Sequence, residues 1–237
     1  MDNGAVRSRS TVSRSVSSAA LVVAVSASAA ITAWLIGTAA VRWWGDQNAL
    51  WIVGRAAGIT GYLLLVALVL TGLALSHPRR KHRLPVTVRI RLHTALATFT
   101  FVFVGLHIVV LATDSYAGVG LVGAVVPFGS HYRPAAVTLG VVGLYAGLAA
   151  GLTALFAGSI GSRVWWPIHK VAIVSLVLIW AHSLWAGTDT SVLLIIYAAT
   201  GALVIIAAVL RYTATTPSDM AEEISVRHRQ STNSLGD

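Results

Sequence analysis

Residues 91–107 read RLHTALATFTFVFVGLH. Between its two histidines, His93 and His107, lie thirteen residues without a charge. Ionisable side chains are costly in a segment of this kind and are kept where they meet a partner or a cavity. The stretch therefore raises two questions: whether the chain spans a membrane, and what its helices hold that uses imidazole.

Composition answers the first. The 237 residues are 56% hydrophobic and only 11% charged, against about 25% charged in soluble domains. Six apolar runs reach the roughly 20 residues a crossing needs: 19–41, 51–75, 92–112, 135–157, 165–186 and 192–210. The expected fold class is all-α, a polytopic six-helix membrane bundle. A basic disordered head (1–18) precedes a membrane domain (19–212), and a polar tail (213–237) follows it. The formal charge of +9 lies in short segments between the runs, which is a topogenic pattern and not that of a nucleic-acid binder. With no cysteine in the chain, disulfides, iron–sulfur clusters and thiol chemistry are excluded within it.

With the head inside, fourteen Lys and Arg fall on the inner side against three (Arg42, Arg55, Arg133) outside. Both termini are thus expected in the cytoplasm of a multi-pass cell-membrane protein. Trp43, Trp44, Trp51 and Trp185 would mark the outer interface, Trp165 and Trp166 the inner one. SASAA at 26–30 resembles a cleavage site, but apolar character continues past it through Ile31 and Leu35. The Gly-rich loop 114–133 reads as an outer cap containing a half-helix, with a re-entrant segment as the alternative.

Of eight histidines, His77, His82 and His228 sit in basic segments expected to be solvated, and His131 in the outer cap. His93 and His107 lie on the third span, His169 and His182 on the fifth. One membrane histidine is best read as a hydrogen bond to a neighbouring helix. Four at matching depths are different. Spacings of 14 and 13 residues separate them by about 21 and 19.5 Å along two helices that run the same way. This stacks two imidazole pairs across the membrane, the usual means of holding a low-spin b-type haem between two ligands. Small residues around them (Ala95, Ala97, Gly105, Ala172, Ala181) would admit a flat macrocycle, although they also serve plain helix packing. Fourteen residues leave His93 and His107 about 40° apart, on one face; thirteen leave His169 and His182 about 140° apart. Either the fifth span is bent or locally rewound, with Pro167 placed to supply part of the correction, or its histidines approach their haems from different sides.

These spacings, with WIVGRAAGITGYLLL (51–65), RLHTALA (91–97), VPFGSHYRPAAVTLG (126–140) and WWPIHK (165–170), resemble the transmembrane domain of the ferric reductase and NADPH oxidase superfamily. That superfamily includes the haem-binding membrane subunit of the methionine sulfoxide reductase system. The resemblance covers roughly residues 51–210. It implies haem b, two per chain, with His93 and His169 as iron ligands of an inner haem and His107 and His182 of an outer one. It implies further that Arg55 lies near the outer haem, for a propionate, an anionic product or the interface. The basic loop 77–91 reads first as a positive-inside signal; from position alone Arg91 is expected to bind cofactor on the inner side, where Arg89, Arg91 and Lys170 are best placed to meet propionates or an acidic donor. Unlike the larger members, the sequence carries no glycine-rich dinucleotide fingerprint after a predicted strand, so no FAD or NAD site is expected.

The expected function is electron transfer from a cytoplasmic or membrane donor, a separate flavoprotein or a quinol, through two bis-histidine haems to an outer acceptor. That acceptor is a ferric complex, oxygen or a partner enzyme, and the lipid bilayer is the medium. Asp114 and Asp189 would suit a ferric complex; Arg55, His131 and Arg133 suit oxygen species or a protein. The alternatives are a haem subunit serving a separate exported reductase, and a divalent-metal binding or transport protein. The last is weakened by the separation of the pairs and by the lack of intramembrane carboxylates.

Overall fold

A computed structural model describes residues 49–77, 85–188 and 190–214. The expected head, first span with its SASAA stretch, and tail beyond 214 lie outside the described residues. So do Trp43, Trp44, His82, Asp189 and His228.

Every described element is a helix, and no strand occurs among the described residues. In chain order these are α1 (Ala49–Leu75), α2 (Val86–Thr113), α3 (Gly120–Val125), α4 (Pro134–Leu155), α5 (Ala157–Ile160), α6 (Ser162–His169), α7 (Val171–Ala186) and α8 (Thr190–Thr213). Five segments are long and apolar enough to cross a membrane: α1, α2, α4, α6 with α7, and α8. They correspond to the second to sixth expected spans. α2 starts six residues earlier than its apolar run because Arg89 and Arg91 continue the helix beyond the hydrophobic stretch, as long cationic side chains can at an interface. Ile195 and Val192 on α8 are 80% and 78% exposed. Such surfaces are a liability in water and ordinary against lipid.

We call the end holding the starts of α1, α4 and α8 the upper end, and the other the lower. α1 packs along α2, and α4 along α7, as two antiparallel hairpins. α7 also meets α1, and α8 packs behind both. Tyr62, Leu65, Val66, Val69 and Leu73 of α1, with Leu176 and Tyr197, form the buried cluster at that junction. α2 packs on α1 and α3, while α3 packs on α2 and α4. The helices thus form a ring, α2–α1–α7–α4–α3, around a central space.

The fifth span is two helices. Pro167 lies inside α6 and has no N–H for the helical ladder, and α6 ends two residues later. At Lys170 the chain turns: Lys170 N–H reaches the Trp166 carbonyl at 3.3 Å, and Ile173 N–H bonds the Lys170 carbonyl three residues back at 3.1 Å. Ideal-helix arithmetic does not carry across this break, which is why the 140° mismatch between His169 and His182 does not materialise.

Loop 114–133 contains α3 and dips into the bundle. The Tyr145 hydroxyl donates to the Val125 carbonyl. The Tyr145 side chain thus reaches the end of α3 from the middle of α4, and the chain then turns at Val126–Gly129, with Phe128 N–H on the Thr138 hydroxyl at 2.7 Å. Arg133, at φ 38° in the left-handed region, precedes Pro134 at the first position of α4.

Candidate functional site

α2 and α7 face each other across a cavity of about 1090 Å³. All four candidate histidines line it: His93 and His107 from α2, His169 from α6 and His182 from α7. The structure pairs them as the depths predict. His93 and His169 have ring centres 6.2 Å apart; His107 and His182 are 6.3 Å apart. Two imidazoles bound to one metal through nitrogens at about 2 Å would have ring centres roughly 6 Å apart.

Each ring is anchored through Nδ1. His107 Nδ1 lies 2.7 Å from the Gly54 carbonyl, His182 Nδ1 2.8 Å from the Ala136 carbonyl, and His169 Nδ1 3.2 Å from the Ala150 carbonyl. A carbonyl only accepts, so in these three the proton sits on Nδ1 and the lone pair on Nε2. His93 Nδ1 is 3.2 Å from the Thr71 hydroxyl, which serves as acceptor or donor. A second partner fixing tautomer and ring orientation is the habitual surrounding of a metal-ligating histidine. The anchors come from α1 and α4, so each hairpin orients its own histidines.

Glycines on those anchoring helices make room for the rings. A Cβ at Gly58 would stand 2.7 Å from His107 Nδ1, and one at Gly140 2.8 Å from His182 Nδ1. Gly58 follows Gly54 by one turn, and Gly140 follows Ala136 by one turn, so both upper sites use a carbonyl at one position and a glycine four residues later. Gly72 is looser, its Cβ position 3.3 Å from His93 Cε1. Of the small residues named from sequence, Ala97, Gly105 and Ala172 line the cavity; Ala95 and Ala181 are not among its walls.

The cavity's charged residues are Arg55, Arg89, Lys170 and Arg211; among the described residues no Asp or Glu lines it. Arg55, at the upper end, donates to the Thr188 hydroxyl and stacks over Trp51 at 5.6 Å. Arg91 is exposed and outside the lining; Arg89, one turn before His93, takes the inward place. Arg89 Nε is buried with no hydrogen-bond partner among the described residues. Lys170 lies over Trp166 at 5.7 Å, and Arg211 Nε donates to Ser76 Oγ at 3.0 Å. Arg133 has structural work: it donates to the Trp185 carbonyl at 2.6 Å, while Tyr132 OH donates to that of Ala186 at 2.7 Å. Together they satisfy the open C-terminal carbonyls of α7. His131 is exposed in the upper loop. Asp114 is buried, its Oδ1 accepting the Tyr116 N–H at 3.0 Å, which removes it from the outer surface.

These features fit haem: two facing imidazoles per site, with Nε2 unprotonated in the three that bond a carbonyl, apolar walls, and cations with no carboxylate among the described lining for an anionic edge. They fit a divalent cation poorly. No group of three or more His, Cys, Asp or Glu side chains able to hold a metal ion occurs among the described residues. No family model, no curated protein and no solved structure matches the chain. The likeness to the ferric reductase and NADPH oxidase superfamily rests on the residues alone.

Proposed function

We propose that this chain is a membrane electron carrier holding two b-type haems, one between His93 and His169 and one between His107 and His182. The observation that carries this reading is the doubled geometry: two histidine pairs, each with ring centres just over 6 Å apart and every Nδ1 occupied by the protein. Haem supplies one-electron redox chemistry when bound, tuned by its ligands and burial. The protein's own share is positional. Gly54, Ala136 and Ala150 hold three rings by their carbonyls; Gly58 and Gly140 leave the upper rings their space; the apolar walls exclude water. Arg89, Lys170 and Arg211 at the lower end and Arg55 at the upper are the groups to pair with propionates.

By the excess of Lys and Arg, the lower end and both termini face the cytoplasm. Electrons come from a separate flavoprotein or a quinol on the lower side and leave to an acceptor on the upper side. The test is the absorption spectrum of the purified, dithionite-reduced protein. A sharp b-type α band with about two haems per chain is expected; a colourless protein from haem-replete cells would overturn the reading.

A further inference from the structure

The ring of helices is unevenly closed. On the side of α1, α7 and α8 the buried cluster around Tyr62 and Leu176 seals it. At the top, Tyr132 and Arg133 clasp the end of α7. Among the described residues the wall between α2 and α4 is α3, six residues long, with Val125 against Tyr145 at its end. Below it α2 and α4 are not among the closely packed helix pairs of the described residues. There the gap is crossed by Phe101 of α2, whose ring lies so close to α4 that a Cβ at Gly151 would stand 2.9 Å from it. Thr94 and Leu152 are exposed residues that also line the cavity. Their side of the cavity continues into apolar walls of Ala97 and Leu148. At the lower rim stand Arg89, with its unpartnered buried Nε, and Lys170.

We propose that the cofactor reaches its sites sideways from the lower leaflet, through the gap between α2 and α4, with Phe101 as the gate against Gly151. The inference rests on the haem reading above. Haem matches the passage in chemistry: its apolar ring suits the walls, and its two carboxylates suit a rim with cations and no acidic group. Phe101 meets a glycine, so no side chain stands opposite its ring at that point of α4. The passage forms and breaks no covalent bond.

The chain lacks cysteine, so a pair introduced as Thr94→Cys with Leu152→Cys is its only thiol pair. The full-length variant is produced in haem-starved cells and placed in nanodiscs of phosphatidylcholine and phosphatidylglycerol. It is bridged with a reducible bifunctional thiol reagent and mixed with ferric haem, and the Soret band is followed in time. Bridging is expected to slow uptake by roughly tenfold or more, as closing a gate does, and reduction of the bridge to restore the rate. Phe101→Ala is expected to speed both uptake and loss to a haem-scavenging globin by a few-fold. Bridged protein that fills at the unbridged rate overturns the route and leaves the haem reading standing. No Soret band in any form, bridged or open, overturns both.

Discussion

The two histidine pairs have nearly the same span but differ in how they are held. Above, both rings are tied to carbonyls at 2.7 and 2.8 Å, and both press on a glycine that would not take a methyl group without displacing them. Below, the anchors are longer, 3.2 Å each, one is a hydroxyl that leaves the tautomer of His93 open, and Gly72 is less crowded than Gly58 or Gly140, its Cβ position 3.3 Å from the His93 ring. The lower site also sits on the broken helix, beside three cations and beneath the open flank of the ring. The upper site is built for fixed geometry, the lower for access and charge. One scaffold gives the two ends different tolerances because the anchoring helices, and not the ligand-bearing ones, set the fit.

The largest effect expected is from removing a ligand. His107→Ala or His182→Ala should reduce haem from about two to about one per chain by pyridine haemochrome assay, with the lower site retained. Loss of both haems from either upper change would break the independence of the sites. Next come the glycines. Gly58→Ala or Gly140→Ala should force the ring off its carbonyl at an overpacking cost of about 1–3 kcal/mol, weakening haem retention at the upper site by about 5- to 150-fold. Gly72→Ala should change lower-site retention by less than about threefold; equal sensitivity at both ends would erase the contrast. The smallest is charge. Arg89→Gln should weaken retention at the lower site by about tenfold, through loss of a charge-assisted bond. Arg91→Gln should leave it unchanged, read from haem loss to a scavenging globin.

The depth match of the four histidines was legible because helical rise is nearly constant, and rise is all that the argument needed. Rotation was less dependable: the 13-residue spacing crosses the turn at Lys170, and only the position of Pro167 hinted at it. The glycines that matter were missed for a physical reason. The small residues beside the ligands lie on the ligands' own helices, whereas the crowding is against the neighbours. GRAAG at 54–58 and AVTLG at 136–140 carry the signal as a small residue and a glycine one turn apart, readable only once α1 is known to face α2 and α4 to face α7. Arg89 over Arg91 was within reach of arithmetic: four residues before His93 is the same face, two is the opposite one. The contact of α3 with Tyr145 was not, since nothing in an apolar Gly-rich loop fixes what it packs against.

α2 and α7 pack mainly on α1 and α4, and this bears on what holds the molecule together. Each hairpin orients its own histidines from within, through carbonyls or, for His93, a hydroxyl. The cavity is the seam between two finished halves. In lipid no hydrophobic force draws such halves together, so cohesion across the seam falls to α3, to the junction of α1, α7 and α8, and to whatever bridges the facing imidazoles. A cofactor seated there would act as a mortar between prefabricated parts, and its loss would loosen the assembly while leaving each part intact.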